Sequence, residues 1–255
     1  MTVTIITATY NSGLSVLDCI RSVAEQDYDQ IEHLIIDGNS SDNTLQLIER
    51  SGYLESRRVK LISEPDKGIY DALNKGLALA SGEVIGFLHS DDLFESPSIV
   101  SQVAEAFASS GCDGLYGDLV YVDKEDPDRI IRYWKSRSYH PGLLRSGWMP
   151  PHPTLYLKRS VYEEFGHFNV DLRIAADYDF ILRIFKQATL NFHYLPKVMV
   201  RMRLGGASNR NFRNLIRKSS EDLKAVRAND IGGPLVVIRK ILGKLNQFYR
   251  GYTKG

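Results

Sequence analysis

Cysteine is almost missing from this chain: 255 residues hold only Cys19 and Cys112, far apart and each inside an apolar pattern. A disulfide framework or a structural zinc site therefore has no basis, and both thiols read as core packing. Long hydrophobic runs are missing as well, since no stretch approaches the about 18 uninterrupted apolar residues of a membrane span. The start, "MTVTIITATYNS", has no basic segment, no long apolar segment and no small-residue cleavage site, so the expectation is a protein that stays in the cytosol. Internal repeats and low-complexity segments are absent. So are two glycine patterns for phosphate: the first strand-to-helix turn, "TATYNSG", has a single glycine and no G-x-G-x-x-G, and no Walker A loop occurs. Redox Rossmann and P-loop readings fail on that ground.

What is present is an ordinary globular composition, 43% hydrophobic and 25% charged, in a pattern of strands alternating with helices. "VTIITA", "HLIIDG", "VKLISEPD" and "EVIGFLHSDD" read as strands, separated by amphipathic helical stretches of about 10 to 15 residues. The spacing predicts an α/β fold, a mostly parallel sheet with right-handed crossovers flanked by helices. Beyond residue 110 the pattern loosens into a hairpin, a proline-rich loop "SGWMPPHPTLYL", a helix over "IAADYDFILRIFKQ" and a last strand, "FHYLPKVMVRMRL". Ligands of such sheets bind outside the carboxyl ends of the strands. There the sequence puts Thr9, Tyr10 and Asn11; Asp37; Glu64, Asp66 and Lys67; and Asp91 with Asp92.

The adjacent aspartates are the sharpest of these features. Asp is a favoured helix N-cap, and a helix follows with Ile99, Val100, Val103, Ala104 and Phe107 on its apolar positions. That helix has its own start signal in Ser96 followed by Pro97, so the two carboxylates are surplus to capping and suit a hard cation.

The net charge of +1 hides an asymmetry. Residues 206–255 carry eleven Lys and Arg against three Asp and Glu, a net +8, which leaves −7 on the rest. The tail includes "PLVVIRKILGKLNQFYRGYTKG", where Leu235, Val236, Ile238, Ile241, Leu242, Leu245 and Phe248 share one helical face with Arg239, Lys240, Lys244 and Arg250 around it. That pattern fits an interfacial helix on an anionic membrane surface, and equally a helix packed on the domain or on a second copy as a homo-oligomer. Nucleic acid is not an expected partner, because the tail lacks clustered stacking residues.

Taken in order, "TATYNS", "IIDGNSSDNT", "SEPDKGIYDALNKG", "GFLHSDD" and "AADYDFILR" resemble the inverting GT-A glycosyltransferases of family 2 over roughly residues 3–208. The resemblance implies a GT-A glycosyltransferase domain over 1–208 and a basic helical extension over 209–255. It implies an enzyme that moves a sugar from a nucleotide-sugar donor, a UDP-sugar by expectation, to a saccharide or lipid-linked saccharide acceptor in polysaccharide or O-antigen-type assembly. Its expected place is the cytoplasm or the cytoplasmic face of the inner membrane. The alternative in another class is a catalytically silent nucleotide-binding or membrane scaffold subunit.

By the same resemblance the end of the first strand, Thr7 and Ala8 with Tyr10 and Asn11, would lie along the base. Asp37 would accept from base or ribose, and Asp66, Lys67, Asn74, Ser90 and Asp91 would complete the donor site. Asp92, with Asp91 beside it, would hold Mn2+ or Mg2+ against the donor diphosphate. His89 stands where many relatives have Asp or Asn. Asp177 takes the position of the general base, with Ala176 replacing the usual Glu. Asp179 lies about 200° away around the helix, so it is expected to cap or support. Trp148 and His152 are expected near acceptor or diphosphate. The late histidine of many relatives is missing from "RMRLGGAS", which leaves phosphate contacts there to backbone N–H groups, Arg203 or Ser208.

Overall fold

The computed structural model describes residues 1–56, 58–205 and 212–245. The first half runs β1 (Val3–Thr9), α1 (Val16–Ala24), β2 (Ile31–Asp37), α2 (Thr44–Arg50), β3 (Val59–Ser63), α3 (Ile69–Leu79), β4 (Val84–Phe87) and a two-residue β5 (Leu93–Phe94). The second half runs α4 (Ile99–Ser110), β6 (Gly114–Val122), β7 (Ile130–Trp134), α5 (Gly142–Arg145), β8 (Tyr156–Lys158), α6 (Arg159–Phe165), α7 (Ala176–Phe185), β9 (Phe192–Arg203), α8 (Phe212–Ala228) and α9 (Pro234–Leu245).

One mixed sheet has the order β3-β2-β1-β4-β8-β6-β9-β5, with β7 paired to β6. Parallel pairing holds across β3-β2-β1-β4 and again between β6 and β9, while β8 runs antiparallel to both its neighbours. All seven residues of β1 are buried, as expected of a strand covered on both faces. Its side chains alternate strictly. Val3 and Ile5 pack with α1 and α4 through Cys19, Val23, Val100 and Val103. Ile6 and Ala8 face the other core, with Leu73 and Leu77 of α3 and Phe180 and Ile184 of α7. Both cysteines are free and buried, as their apolar settings predict. Gly86 of β4 lets the Tyr156 ring lie flat on the strand, since a Cβ there would stand 2.3 Å from a ring carbon.

Two local readings change. The helix expected to start at Ser96–Pro97 begins at Ile99, with Ser98 in the cap position and no side-chain cap bond. The Val100 N–H is satisfied instead by Gln26 Oε1 at 3.0 Å, a tertiary partner that no local pattern announces. At the other end of the chain, the expected boundary at 208/209 lies outside the described residues. The helices beyond it share the main core, for Ala225, Val226, Val236 and Val237 pack in the same cluster as Ile6, Leu34 and Phe180.

The tail helix differs from the face-on arrangement read from its pattern. It docks through Val236, Val237 and Lys240, all nearly inaccessible, and leaves Leu235, Ile238, Ile241 and Leu242 about half exposed. Lys240 leaves the basic fringe because its ammonium pairs with the buried Asp222 at 2.7 Å and sits 3.2 Å above the Tyr178 ring. Gly147 makes the close approach of α9 possible: a Cβ there would come within 2.4 Å of the Lys240 backbone nitrogen. Phe248 and Arg250 lie outside the described residues. No helix among the described residues is long and apolar enough to cross a membrane.

Candidate active site

The register of the parallel strands aligns Thr9, Asp37 and Ser63 in one row at the carboxyl edge. Asp37 is fully buried. Its Oδ2 accepts from Ser40 N–H at 2.9 Å and Ser63 Oγ at 2.7 Å, and its Oδ1 from Ser40 Oγ at 2.5 Å. Three of about four lone-pair positions are thus spent, two on the loop after β2 and one on the end of β3. Asn11, in the left-handed region at φ +49°, joins that loop to the one after β1: its Oδ1 accepts Ser41 N–H at 2.9 Å and its N–H donates to Ser40 Oγ at 2.8 Å. The result is a braced rim on which the Tyr10 ring stands 63% exposed. Asp66 faces the same rim. It caps Gly68 N–H at 2.8 Å, and its carboxylate lies where a Cβ on Gly38 would come within 2.4 Å. Lys67 is exposed beside it.

After β4 the chain turns, with Asp92 N–H donating to His89 C=O at 2.9 Å. Ser90 shares a 2.8 Å hydroxyl hydrogen bond with Ser12, tying this turn to the Tyr10 loop. Asp91 is half-buried. Asp92 is wholly buried, and neither of its carboxylate oxygens has a hydrogen-bond partner. Burial and then the Asp91 charge push the Asp92 carboxyl well above the usual range, while the Arg203 backbone N–H and guanidinium pull the other way. Arg203, at the end of β9, is itself buried; it donates to Asp91 C=O at 3.3 Å and pairs with Asp18 of α1 at 2.6 Å.

An orphaned buried carboxylate beside a second one fits a cation. Among the described residues no group of three or more His, Cys, Asp and Glu side chains converges to cage a metal, so an ion here would take its other ligands from a diphosphate and water.

The third part of the site comes from α7. Asp177, in its first turn, is half-buried, and its Oδ1 accepts from Tyr178 N–H at 2.8 Å and from the Tyr70 hydroxyl at 3.1 Å. Tyr70 shares that one proton with Ile174 C=O, the nearer acceptor at 2.8 Å. Burial and the Asp177 charge raise the Tyr70 phenol well above its ordinary value, so it remains a donor. Between Asp177 and the aspartate turn stand two histidines with rings 6.0 Å apart, His89 and His152. His152 stacks on Phe87 at 5.4 Å, its Nε2 has no partner, and burial lowers it to about 4, so it is a neutral ring at pH 7. His89 is likewise lowered by burial, against the charges of Asp91 and Asp177, which both reach it.

Several expected donor residues sit elsewhere. Thr7 points into the α1 side, sharing a 2.9 Å hydrogen bond with His33 Nε2, because it lies on the same face of β1 as Val3 and Ile5. Ala8 packs in the opposite core. Asn74 is consumed by the Phe168 backbone, donating to its C=O at 2.9 Å and accepting its N–H at 3.0 Å. Trp148 is half-buried among Tyr116, Tyr139 and Phe185, with ring centroids 5.7 to 5.9 Å away. Asp179 supports rather than reacts: Arg183 reaches it at 2.7 Å and Asn229 at 2.9 Å. Tyr70, Asp18 and Glu221 are the residues the sequence reading missed. Only Tyr70 had a signal, its placement one helical turn before Asn74 on the same face of α3. Ser208 lies outside the described residues.

Comparison with known proteins adds three findings. The sequence model of a family described as glycosyl transferase family 2 matches residues 4–167. An uncharacterized glycosyltransferase of Mycobacterium tuberculosis is 36% identical over 188 residues, covering 71% of this chain and 68% of its own. In solved structures the same fold occurs in S. aureus TarS in complex with UDP, with a TM-score of 0.67 at 18% identity over 94% of this chain and 68% of that one. It occurs also in the mannosyltransferase PcManGT from Pyrobaculum calidifontis in complex with GDP-Man and Mn2+, with a TM-score of 0.66 at 20% identity over 94% of this chain and 69% of that one.

Proposed function

The chain belongs to glycosyl transferase family 2, and on that premise we propose a metal-dependent, inverting transfer of a sugar from a nucleotide-sugar donor to a saccharide acceptor. Family membership and relatives named as glycosyltransferases support a transferase over a silent scaffold. The observation that carries the finer reading is that Asp91, beside the buried Asp92, and Asp177 both act on His89, in a turn that Ser90 ties through Ser12 to the loop of the exposed Tyr10.

In this reading Tyr10 stacks on the base, and Asp37 acts chiefly by fixing the rim, with Asp66 and Lys67 at the nucleoside side. The half-buried Asp91 and the buried Asp92 would hold the cation. When bound, Mn2+ or Mg2+ neutralises charge on the departing diphosphate. Arg203 steadies the Asp91 turn through its backbone contact. Asp177 takes the proton of the acceptor hydroxyl as that oxygen bonds to the anomeric carbon and the bond to the diphosphate breaks on the opposite face. Tyr70 orients the base through Oδ1. Of the two residues expected on the acceptor side, Trp148 is held in the aromatic cluster, and the neutral His152, whose Nε2 has no partner, is the one that can hydrogen-bond a sugar hydroxyl.

We favour a UDP-sugar, supported by the UDP complex of TarS; the GDP-Man complex of PcManGT makes GDP-sugars the second class to test. A lipid-linked acceptor in polysaccharide or O-antigen-type assembly is favoured by α9, whose four half-exposed apolar side chains belong to a segment of net +8. That charge suits an anionic leaflet, and the cytoplasmic side is where the protein would meet it. The test is a panel of UDP- and GDP-sugars screened for Mn2+-dependent thermal stabilisation and for nucleotide release. One donor giving both is expected; a panel in which none does so overturns the reading.

A further inference from the structure

Helix α7 starts without a cap of its own. Its N-cap residue is Ala175, which has no side-chain acceptor, so the N–H groups entering the helix need a partner from elsewhere. Glu221 of α8 supplies it. Its Oε2 accepts Ile174 N–H at 2.7 Å and Ala175 N–H at 3.0 Å, and the residue is only 6% exposed. The other side of the same residue is held too, for Ile174 C=O accepts the Tyr70 hydroxyl that also reaches Asp177. The backbone three residues ahead of Asp177 is therefore pinned by its N–H from α8 and by its C=O from α3.

Glu221 is in turn fixed by its own surroundings. Helix α8 is tied to α7 through Asn229 Nδ2, which donates to Asp179 Oδ1 at 2.9 Å, and through Lys186 Nζ, which donates to Asn229 C=O at 3.2 Å. The next residue, Asp222, makes the buried pair with Lys240 of α9. A charge-assisted, buried acceptor at a helix start is both strong and favourably placed against the helix dipole.

We propose that Glu221 is a positioning residue for Asp177: the C-terminal helices set the angle at which the base-bearing turn enters the crevice. The inference rests on the reading of Asp177 as the base. It makes α8 and α9, which follow both the base and the family-matched segment 4–167, part of the catalytic apparatus rather than an appendage.

Three full-length variants test it: Glu221→Asp, Glu221→Gln and Asp177→Asn. The assay is nucleotide release from the best donor of the panel with Mn2+ and water as acceptor, so that no acceptor need be known. Glu221→Gln keeps an acceptor of the same length and is expected within about threefold of the parent in kcat. Glu221→Asp withdraws the acceptor by one methylene, and a shift of about 1 Å in a catalytic group can cost up to about 100-fold. Its kcat should fall by about tenfold or more while donor KM stays within about twofold, since the donor rim stands on the β1 and β2 loops. Parental kcat in Glu221→Asp, equal loss in the Asp and Gln variants, or a rise in donor KM matching the fall in kcat overturns the proposal. The base assignment is read separately. If Asp177→Asn keeps parental turnover, that assignment fails; if it is inactive and Glu221→Asp is unaffected, only the positioning role fails.

Discussion

The Tyr70 hydroxyl of α3 shares its one proton between Asp177 Oδ1 at 3.1 Å, across 107 residues of sequence, and the carbonyl of Ile174 at 2.8 Å. One phenol thus joins the helix behind the donor rim to the turn that carries the expected base. Tyr70→Phe removes both contacts and leaves the ring in place against Phe168. We expect kcat to fall by about three- to tenfold with donor KM little changed, and stability to drop by about 1 kcal/mol. Steady-state kinetics and urea denaturation of the same sample read the two effects.

Asp177→Asn should be far more severe. The amide keeps an acceptor for Tyr70 but cannot take a proton, so turnover should fall by about 100- to 10,000-fold with the fold intact. Nucleotide release measured alongside a circular dichroism melt checks this.

The aspartate turn predicts a split between activity and stability. Asp92 is fully buried, its carboxyl oxygens have no hydrogen bond of ordinary geometry, and burial with the Asp91 charge outweighs the nearby Arg203, so the group burdens the folded chain when no cation is bound. Asp92→Asn should therefore be at least as stable as the parent without metal, yet lose about 100-fold or more in Mn2+-dependent turnover. A variant that is inactive because it no longer folds would contradict this reading, and a thermal melt without divalent ions shows which holds.

His33 gives a pH signature away from the crevice. It is fully enclosed between Thr7 and Tyr53, hydrogen-bonded to each at 2.9 Å, and burial lowers it from the ordinary 6.5 to about 3. Since the folded protein holds the ring neutral, the unfolded chain takes up the proton first as pH falls. Stability from this group is complete above about 6.5 and declines toward about 3, by up to about 1.4 kcal/mol per pH unit. His33→Gln should be less stable at neutral pH and lose stability less steeply between those limits, as urea titrations at several pH values would measure.

The half-exposed stripe on α9 predicts membrane attachment that can be removed without harm to the core. Ile238 and Leu242 are 51% and 56% exposed, so Ile238→Asp with Leu242→Asp should leave the melting temperature nearly unchanged. Co-sedimentation with phosphatidylserine vesicles should fall at least about tenfold. Unaltered vesicle binding, or a change in oligomeric mass instead, would assign the stripe to another partner.

How far the sequence carried can be judged residue by residue. Periodicity located β1 to β4 and α7, and for β1, β2 and β4 the reason is that burial on both faces of a parallel sheet writes continuous apolar runs into the chain. The polar residues at strand ends were legible for the same reason: a parallel sheet must release its chain into loops at one edge. Tyr10 and the Asp91–Asp92 pair follow β1 and β4 as that logic expects, whereas Asp177 opens α7 and was legible only through the family resemblance.

Orientation and partnership were decided by the tertiary structure. Thr7 and Ala8 were both read as lining the donor, but successive strand residues face opposite sides, and each points into a core. Asn74 looks free in the sequence and is spent on a backbone 94 residues away. Lys240 counts as a surface charge until Asp222 and the Tyr178 ring enclose it. Asp91 and Asp92 are chemically identical neighbours, and only packing made one half-accessible and the other a buried orphan. Composition and spacing determine which chemistry the chain possesses. Which of those groups stays in reach of a ligand is set by hydrogen bonds between distant segments, such as Glu221 to the entry of α7, and these leave no local pattern to read.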